Sequence, residues 1–365
     1  MEEKIYKKED LFTGPFQIEN DNEYLPILKF ILKELRHSEN LMGYSDDFKN
    51  QIADYIGKVI ELIEEYYQGK LENALSIAKE LIVPFGLSHE FAVTTPLKSV
   101  EIGTNGASKC NEFFRSRVCD EITNYTGEEM NHVPFSKREI MCTQRFSISG
   151  LPSLYVGNTS YCCWLEMGKP EAHKFNVSPL KLPRDSRILN LVFPFQMFSE
   201  LKQKYCNKSK SDENELILIK LMILNIATSF RVTQTNRTFK SEYVIPKCLM
   251  LACLDRGLDG IAYYSKRVEN ELYAAPAINI TMFPKKDGKD DKTTLEKNVK
   301  IGNSFNYAIY KEIKNIDKST VEMEDNQNLK DCKVFIDSAG TDIFYSALGF
   351  YDFDRYLLQS FKSKD

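Results

Sequence analysis

Most features that would assign a function quickly are missing from this sequence. No apolar run reaches the roughly 18 residues that span a bilayer; the best candidate, LILIKLMILNIA from Leu216, is interrupted by Lys220. The first ten residues, MEEKIYKKED, hold no apolar core, so no secretory signal is expected and a cytoplasmic location is. The nine cysteines are odd in number, Cys162 and Cys163 are adjacent, and no C-x-x-C occurs. That signals neither a disulfide framework nor a zinc site. His37, His89, His132 and His173 lie far apart without an H-x-x-x-H pair, so neither a metal site nor a Ser–His or Cys–His nucleophile is expected. No phosphate-binding glycine loop is present; GTNG at 103–106 is too short to be one. The net charge of −4 lacks the basic excess of a nucleic-acid binder.

What is present is an ordinary folded composition, 42% apolar and 27% charged, over 365 residues. At about 150 residues per domain this suggests two domains or three small ones. Residues 1–105 read as a helical domain. YLPILKFILKEL places apolar residues at i, i+3, i+4 and i+7, and DDFKNQIADYIGKVIELIEEYYQG does the same up to Gly69. A third helix, KLENALSIAKELIVPFG, stops near Pro84.

From residue 106 the texture changes. EFFRSRVCDEI and SRILNLVFPF predict strands, and a long apolar helix follows at about 214–230. Pro246 suits a first helical turn, Gly257 a position just past the end, and strands follow at 261–264 and 277–283. Strands and helices mix without a βαβ repeat, which predicts an α+β fold. The charged stretch PKKDGKDDKTTLEK (284–297) marks a boundary, so the domains are placed at 1–105, 106–284 and 285–365, the last packed on the second.

RFSISGLPSLYVGNTSYCCWLEMG (145–168) sets Arg145, Tyr155 and Glu166 among apolar neighbours. RFSIS alternates like a half-buried strand, SLYVG predicts a second, and Thr159 or Ser160 can cap a short helix ending at Glu166. On spacing alone the three residues also fit a structural ion pair beside a core tyrosine. Buried ion pairs add little net stability, so a pair in a cleft favours a binding role.

Six segments in order, FFRSR (113–117), NHVPF (131–135), the 145–168 stretch, SEYVIP (241–246), GLDGIAYYS (257–265) and NITMF (279–283), resemble the RES family of bacterial toxin–antitoxin toxins. The resemblance covers about half the chain. It implies an ADP-ribosyltransferase-like fold and an enzyme that consumes NAD, releasing nicotinamide by hydrolysis or phosphorolysis. The alternatives are an ADP-ribosyltransferase with one protein target, or an interaction module that has lost activity. On this reading Arg145 grips the diphosphate and Tyr155 stacks on nicotinamide or ribose. Glu166 steadies the ribosyl cation and Ser265 bonds the amide or ribose. Asn279 adds a polar contact, and Arg115 with Arg117 can hold phosphates. Glu242 and Tyr243 position the following helix, and Trp164 packs beside Glu166. NAD is then substrate, with no metal. The resemblance also implies an antitoxin partner; a protein target and a homo-oligomer stay open, and neither nucleic acid nor membrane is an expected partner.

Overall fold

The computed structural model describes residues 11–89, 91–96, 111–206, 211–285, 293–316, 327–336 and 340–362. GTNG and residues 286–292 of the charged boundary stretch lie outside them. After a short strand, β1 (Phe16–Gln17), three helices follow: α1 (Asp21–Arg36), α2 (Asp46–Tyr67) and α3 (Leu71–Ile82). Each end has a chemical cause. The Asn20 and Ser45 side chains accept from Asn22 N and Phe48 N, capping α1 and α2. Gly69, at φ 78°, turns the chain out of α2. The apolar face predicted for α1 is the buried one, Leu28, Ile31, Leu32 and Leu35.

Next come β2 (Val93–Thr94), β3 (Glu112–Val118), β4 (Leu154–Gly157), α4 (Ser160–Glu166), β5 (Phe175–Lys181) and β6 (Ile188–Asn190). Helices α5 (Phe198–Cys206) and α6 (Ser211–Thr228) lead to β7 (Phe230–Arg231), then to α7 (Val244–Asp255), β8 (Gly260–Tyr264) and β9 (Ile278–Met282). Pro246 falls in the first turn of α7, and Gly257, at φ 78°, just past its end. The chain closes with α8 (Thr294–Asn298), β10 (Lys300–Ile301), β11 (Phe305–Asn306), α9 (Tyr307–Ile316), α10 (Gln327–Lys330), β12 (Lys333–Ile336), β13 (Thr341–Phe344) and α11 (Gly349–Lys362).

The main sheet runs β10-β5-β3-β4-β9-β8-β6-β2, with β11 also on β5. Its pairs are antiparallel except β6 with β8. Helices and a largely antiparallel mixed sheet make the fold α+β, as expected. Both sheet faces are covered, and strand alternation separates two cores. Ile261 and Tyr263 join a core with α1–α3, α6 and α7; Ala262 and Tyr264 join another with α4 and α11. The N-terminal helices therefore share a core with the sheet. Helix α6 is apolar nearly all round because it is enclosed there, and Lys220 lays its ammonium 5.5 Å from the centre of the Tyr55 ring. Among the described residues no helix is long and apolar enough to cross a membrane.

One expected element is absent. RFSIS forms turns, not a strand. Phe146 is fully buried, Gln144 N donates to Ser147 Oγ (3.1 Å), and Leu151 N donates to Ile148 O, which closes the chain on itself. Its alternation satisfies one buried ring and one buried guanidinium, and no strand partner.

The C-terminal residues seal the second face. β10 and β11 extend the sheet beyond β5, and α11 packs on α4 and β5. The buried carboxylate of Asp354 on α11 accepts from Ser160 N at 2.9 Å and from Tyr345 Oη at 2.7 Å. Burial pushes its pKa from 3.8 up to about 7. A carboxyl that holds its proton more tightly when folded adds stability at low pH, and this is lost as pH rises from about 4 through about 7. The slope it contributes is at most about 1.4 kcal/mol per pH unit. Asp354→Asn keeps an acceptor for Ser160 N, so urea unfolding across that window should show a flatter pH dependence than wild type. Identical slopes would contradict the assignment.

Candidate active site

The rows of the sheet define the site. In register, Tyr155 faces Thr281 and Thr281 faces Ile261; Gly157 faces Asn279 and Asn279 faces Tyr263. Direct partners share a face, so these side chains form one surface, toward the helical side. Beyond it lies a cavity of about 490 Å³. Arg115, Arg145, Tyr155, Glu166 and Asn279, five of the six site residues expected from sequence, line it. Ser265 is fully buried behind the wall and reaches the site through Glu166.

Glu166 is the last residue of α4, and the turn into that helix is built tightly. Thr159 caps it by accepting from Cys162 N (2.9 Å) and ties it to β9 by donating to Pro276 O. The Asn158 side chain accepts from Ile278 N and donates to Ala275 O. A Cβ at Gly157 would lie 3.0 Å from the Cys162 Cβ, so any larger residue at the end of β4 would press on α4. These bonds fix α4 against the strand that carries Asn279.

Two donors meet on one oxygen of Glu166. Ser265 Oγ donates to Oε1 at 2.7 Å, and Asn279 Nδ2 donates to the same atom at 2.6 Å. Both donors are themselves oriented. Arg267 N donates to Ser265 Oγ (3.2 Å), which directs the hydroxyl proton at the carboxylate. Cys162 Sγ donates to Asn279 Oδ1 (3.3 Å), which turns the amide nitrogen the same way. The second oxygen, Oε2, has no hydrogen bond among the described residues.

Arg145 is placed differently from expectation. Its guanidinium donates to the carbonyls of Thr228 (2.9 Å) and Phe230 (2.6 Å) and lies 5.3 Å from the Tyr243 ring centre. The fork that would suit a diphosphate holds protein carbonyls, because α6 ends there and leaves them free. Arg115 also lines the cavity. It donates to Tyr155 O (3.0 Å), its Nε is buried without a partner, and burial pulls its pKa down to about 10, still protonated near neutrality. The Tyr155 hydroxyl is buried beside Ser147 and Thr281 without reaching hydrogen-bond geometry, and burial pushes its pKa up, so it stays a neutral phenol.

Sequence reading missed Arg231, Lys266 and Arg267. Together with Arg115 and Arg145 they give the lining, among the described residues, five basic side chains against one carboxylate, Glu166. The signal available was the Lys-Arg pair straight after Ser265. Lys266 is paired with Glu271 (2.6 Å), and Arg231 with Glu269 (3.2 Å). Of the other residues read from the sequence, Tyr243 also lines the cavity, whereas Arg117, Glu242, His132 and Trp164 are not in its lining. Arg117 donates to Glu129 O, Glu242 pairs with Arg237, and His132 bonds Val133 O and Thr293 Oγ1. Trp164 is half-buried, donates to Pro170 O, and faces a different hollow.

Replacing Arg145 by methionine leaves two buried carbonyls without donors. Unfolding by urea should show a loss of about 2–4 kcal/mol. A change under about 0.5 kcal/mol would show that the guanidinium does not hold the loop to β7.

The chain is 34% identical over 225 residues to a Bacillus subtilis (strain 168) protein named "Putative toxin YopC". The match covers 60% of this chain and 49% of that protein, so the chain spans about half the length of the curated relative. No protein-family profile and no solved structure matches the chain.

Proposed function

We propose that the chain is a toxin-like enzyme that binds NAD in the Glu166 cavity and breaks the bond between nicotinamide and ribose. The observation that carries this reading is the carboxylate of Glu166, held in one orientation by Ser265 and Asn279 at the wall of a cation-lined cavity. The likeness to the Bacillus subtilis protein supports the toxin class, and the ordered segments that resemble the RES family support NAD as substrate.

The chemistry follows from these groups. As the glycosidic C–N bond breaks, its electron pair goes to the pyridine nitrogen and cancels that ring's charge. Positive charge develops on the ribose, as in glycoside cleavage. The free oxygen of Glu166 faces that charge and accepts from a ribose hydroxyl. Water or an inorganic phosphate oxygen then bonds to the anomeric carbon, and the proton of water passes to solvent or Glu166. Arg115, which lines the cavity, is the group for the diphosphate. Arg145 acts here as a positioning residue that fixes the cavity wall. A cognate antitoxin would silence the enzyme by covering this opening.

Purified protein incubated with NAD should release nicotinamide, and mass analysis with and without phosphate identifies the acceptor. Glu166→Gln should slow release by about 100-fold or more at unchanged melting temperature. NAD left intact at high protein concentration rejects the reading. Tagged NAD that labels a macromolecule while free NAD turns over slowly would instead assign a transferase.

A further inference from the structure

The chain leaves β8 at Ser265 and runs along the cavity, with Lys266 and Arg267 in the lining. This segment is tied to β7. Arg231 Nε donates to Lys266 O at 3.1 Å, and the same guanidinium donates to Val268 O and pairs with Glu269 at 3.2 Å. Lys266 Nζ donates to Ser229 Oγ, just before β7, at 2.7 Å. The guanidinium is planar and spans two carbonyls, so it fixes the orientation of the segment as well as its position.

One of those carbonyls has a particular place. Lys266 O and Arg267 N belong to a single peptide unit, which is planar, with its C=O and N–H pointing opposite ways. Arg231 holds the carbonyl, and the N–H donates to Ser265 Oγ at 3.2 Å. Ser265 Oγ donates in turn to Glu166 Oε1 at 2.7 Å. Guanidinium, peptide, hydroxyl and carboxylate thus form one chain of hydrogen bonds that all run in the same sense, from a cation to an anion. Bonds arranged in this way polarise and strengthen one another.

We propose that Arg231 is a positioning residue for Glu166: it sets the peptide between Lys266 and Arg267, and through that peptide it directs the Ser265 hydroxyl at the carboxylate. Its part in catalysis rests on the NAD reading of the cavity, whereas the relay of bonds does not. Arg231 acts through Ser265, in contrast to Arg115, which is assigned to the substrate itself.

Amide hydrogen exchange of the full chain without NAD tests the relay. Arg231→Met, at wild-type circular dichroism, should speed exchange of the Arg267 N–H about tenfold or more. Arg231→Lys keeps the charge without the fork and should speed it by a smaller factor. With NAD, Arg231→Met should lower kcat about tenfold and leave KM within about twofold, as expected of a residue that does not bind substrate. Added to Ser265→Ala, it should cost less than about twofold more, because both changes act through one hydroxyl. Unchanged Arg267 exchange in Arg231→Met overturns the proposal. So does a raised KM at unchanged kcat, or losses that multiply in full with those of Ser265→Ala. If Arg231→Met does not fold, wild-type exchange in Arg231→Lys overturns it instead. If the wild-type chain leaves NAD intact, the reading of the cavity fails, and the exchange result alone decides whether Arg231 positions Ser265.

Discussion

Two hydrogen bonds converging on a single oxygen, from Ser265 and Asn279 onto Glu166, are the constraint on which the site depends. The three residues come from the end of β8, from β9 and from the end of α4, so the bonds form only when those segments hold their places. A partly buried carboxylate keeps one orientation only when donors hold it. Here each donor is oriented in turn by a neighbour, Arg267 N or Cys162 Sγ. The result is one fixed carboxylate at the cavity wall. Such preorganised charge does the most work where water is excluded.

The rest of the fold holds that arrangement from two sides. On the helical side, Arg145 joins the 145–150 turns to the carbonyls where α6 passes into β7, and β7 pairs with β1 near the start of the described chain. Asp21, at the start of α1, accepts from Ser241 N and pairs with Arg237, which in turn holds buried Glu242. On the other side, Asp354 holds the first turn of α4. The N-terminal helices and the C-terminal segment are thus parts of the frame around the Glu166 cavity, and the sheet between them transmits both constraints.

Much of this was legible in the sequence, for physical reasons. Apolar residues at helical spacing gave α1, α2 and α3, because only one face of each is buried. Pro246 and Gly257 bracketed α7, since one lacks a donor that the first turn does not need and the other reaches positive φ without strain. Thr159 and Ser160 both read as possible caps, and Thr159 is the one that caps α4. RFSIS misled because alternation cannot tell a strand from turns that bury two side chains. The partners of Arg145 were invisible, since they are backbone carbonyls about 85 residues away along the chain. The shared core was hidden too, because a buried helix face does not say what covers it. Among site residues, the grouping of Tyr155, Glu166, Asn279 and Arg115 was expected, whereas Arg231 reaches the lining only through the way the chain folds, and Lys266 and Arg267 had no more signal than their place straight after Ser265.

A structure of the Glu166→Gln chain soaked with NAD tests the central claim most directly. The account predicts density for the dinucleotide in this cavity, with the nicotinamide ribose within hydrogen-bond distance of residue 166 and the diphosphate against Arg115. An empty cavity at saturating NAD, or a dinucleotide bound elsewhere with residue 166 untouched, would contradict it.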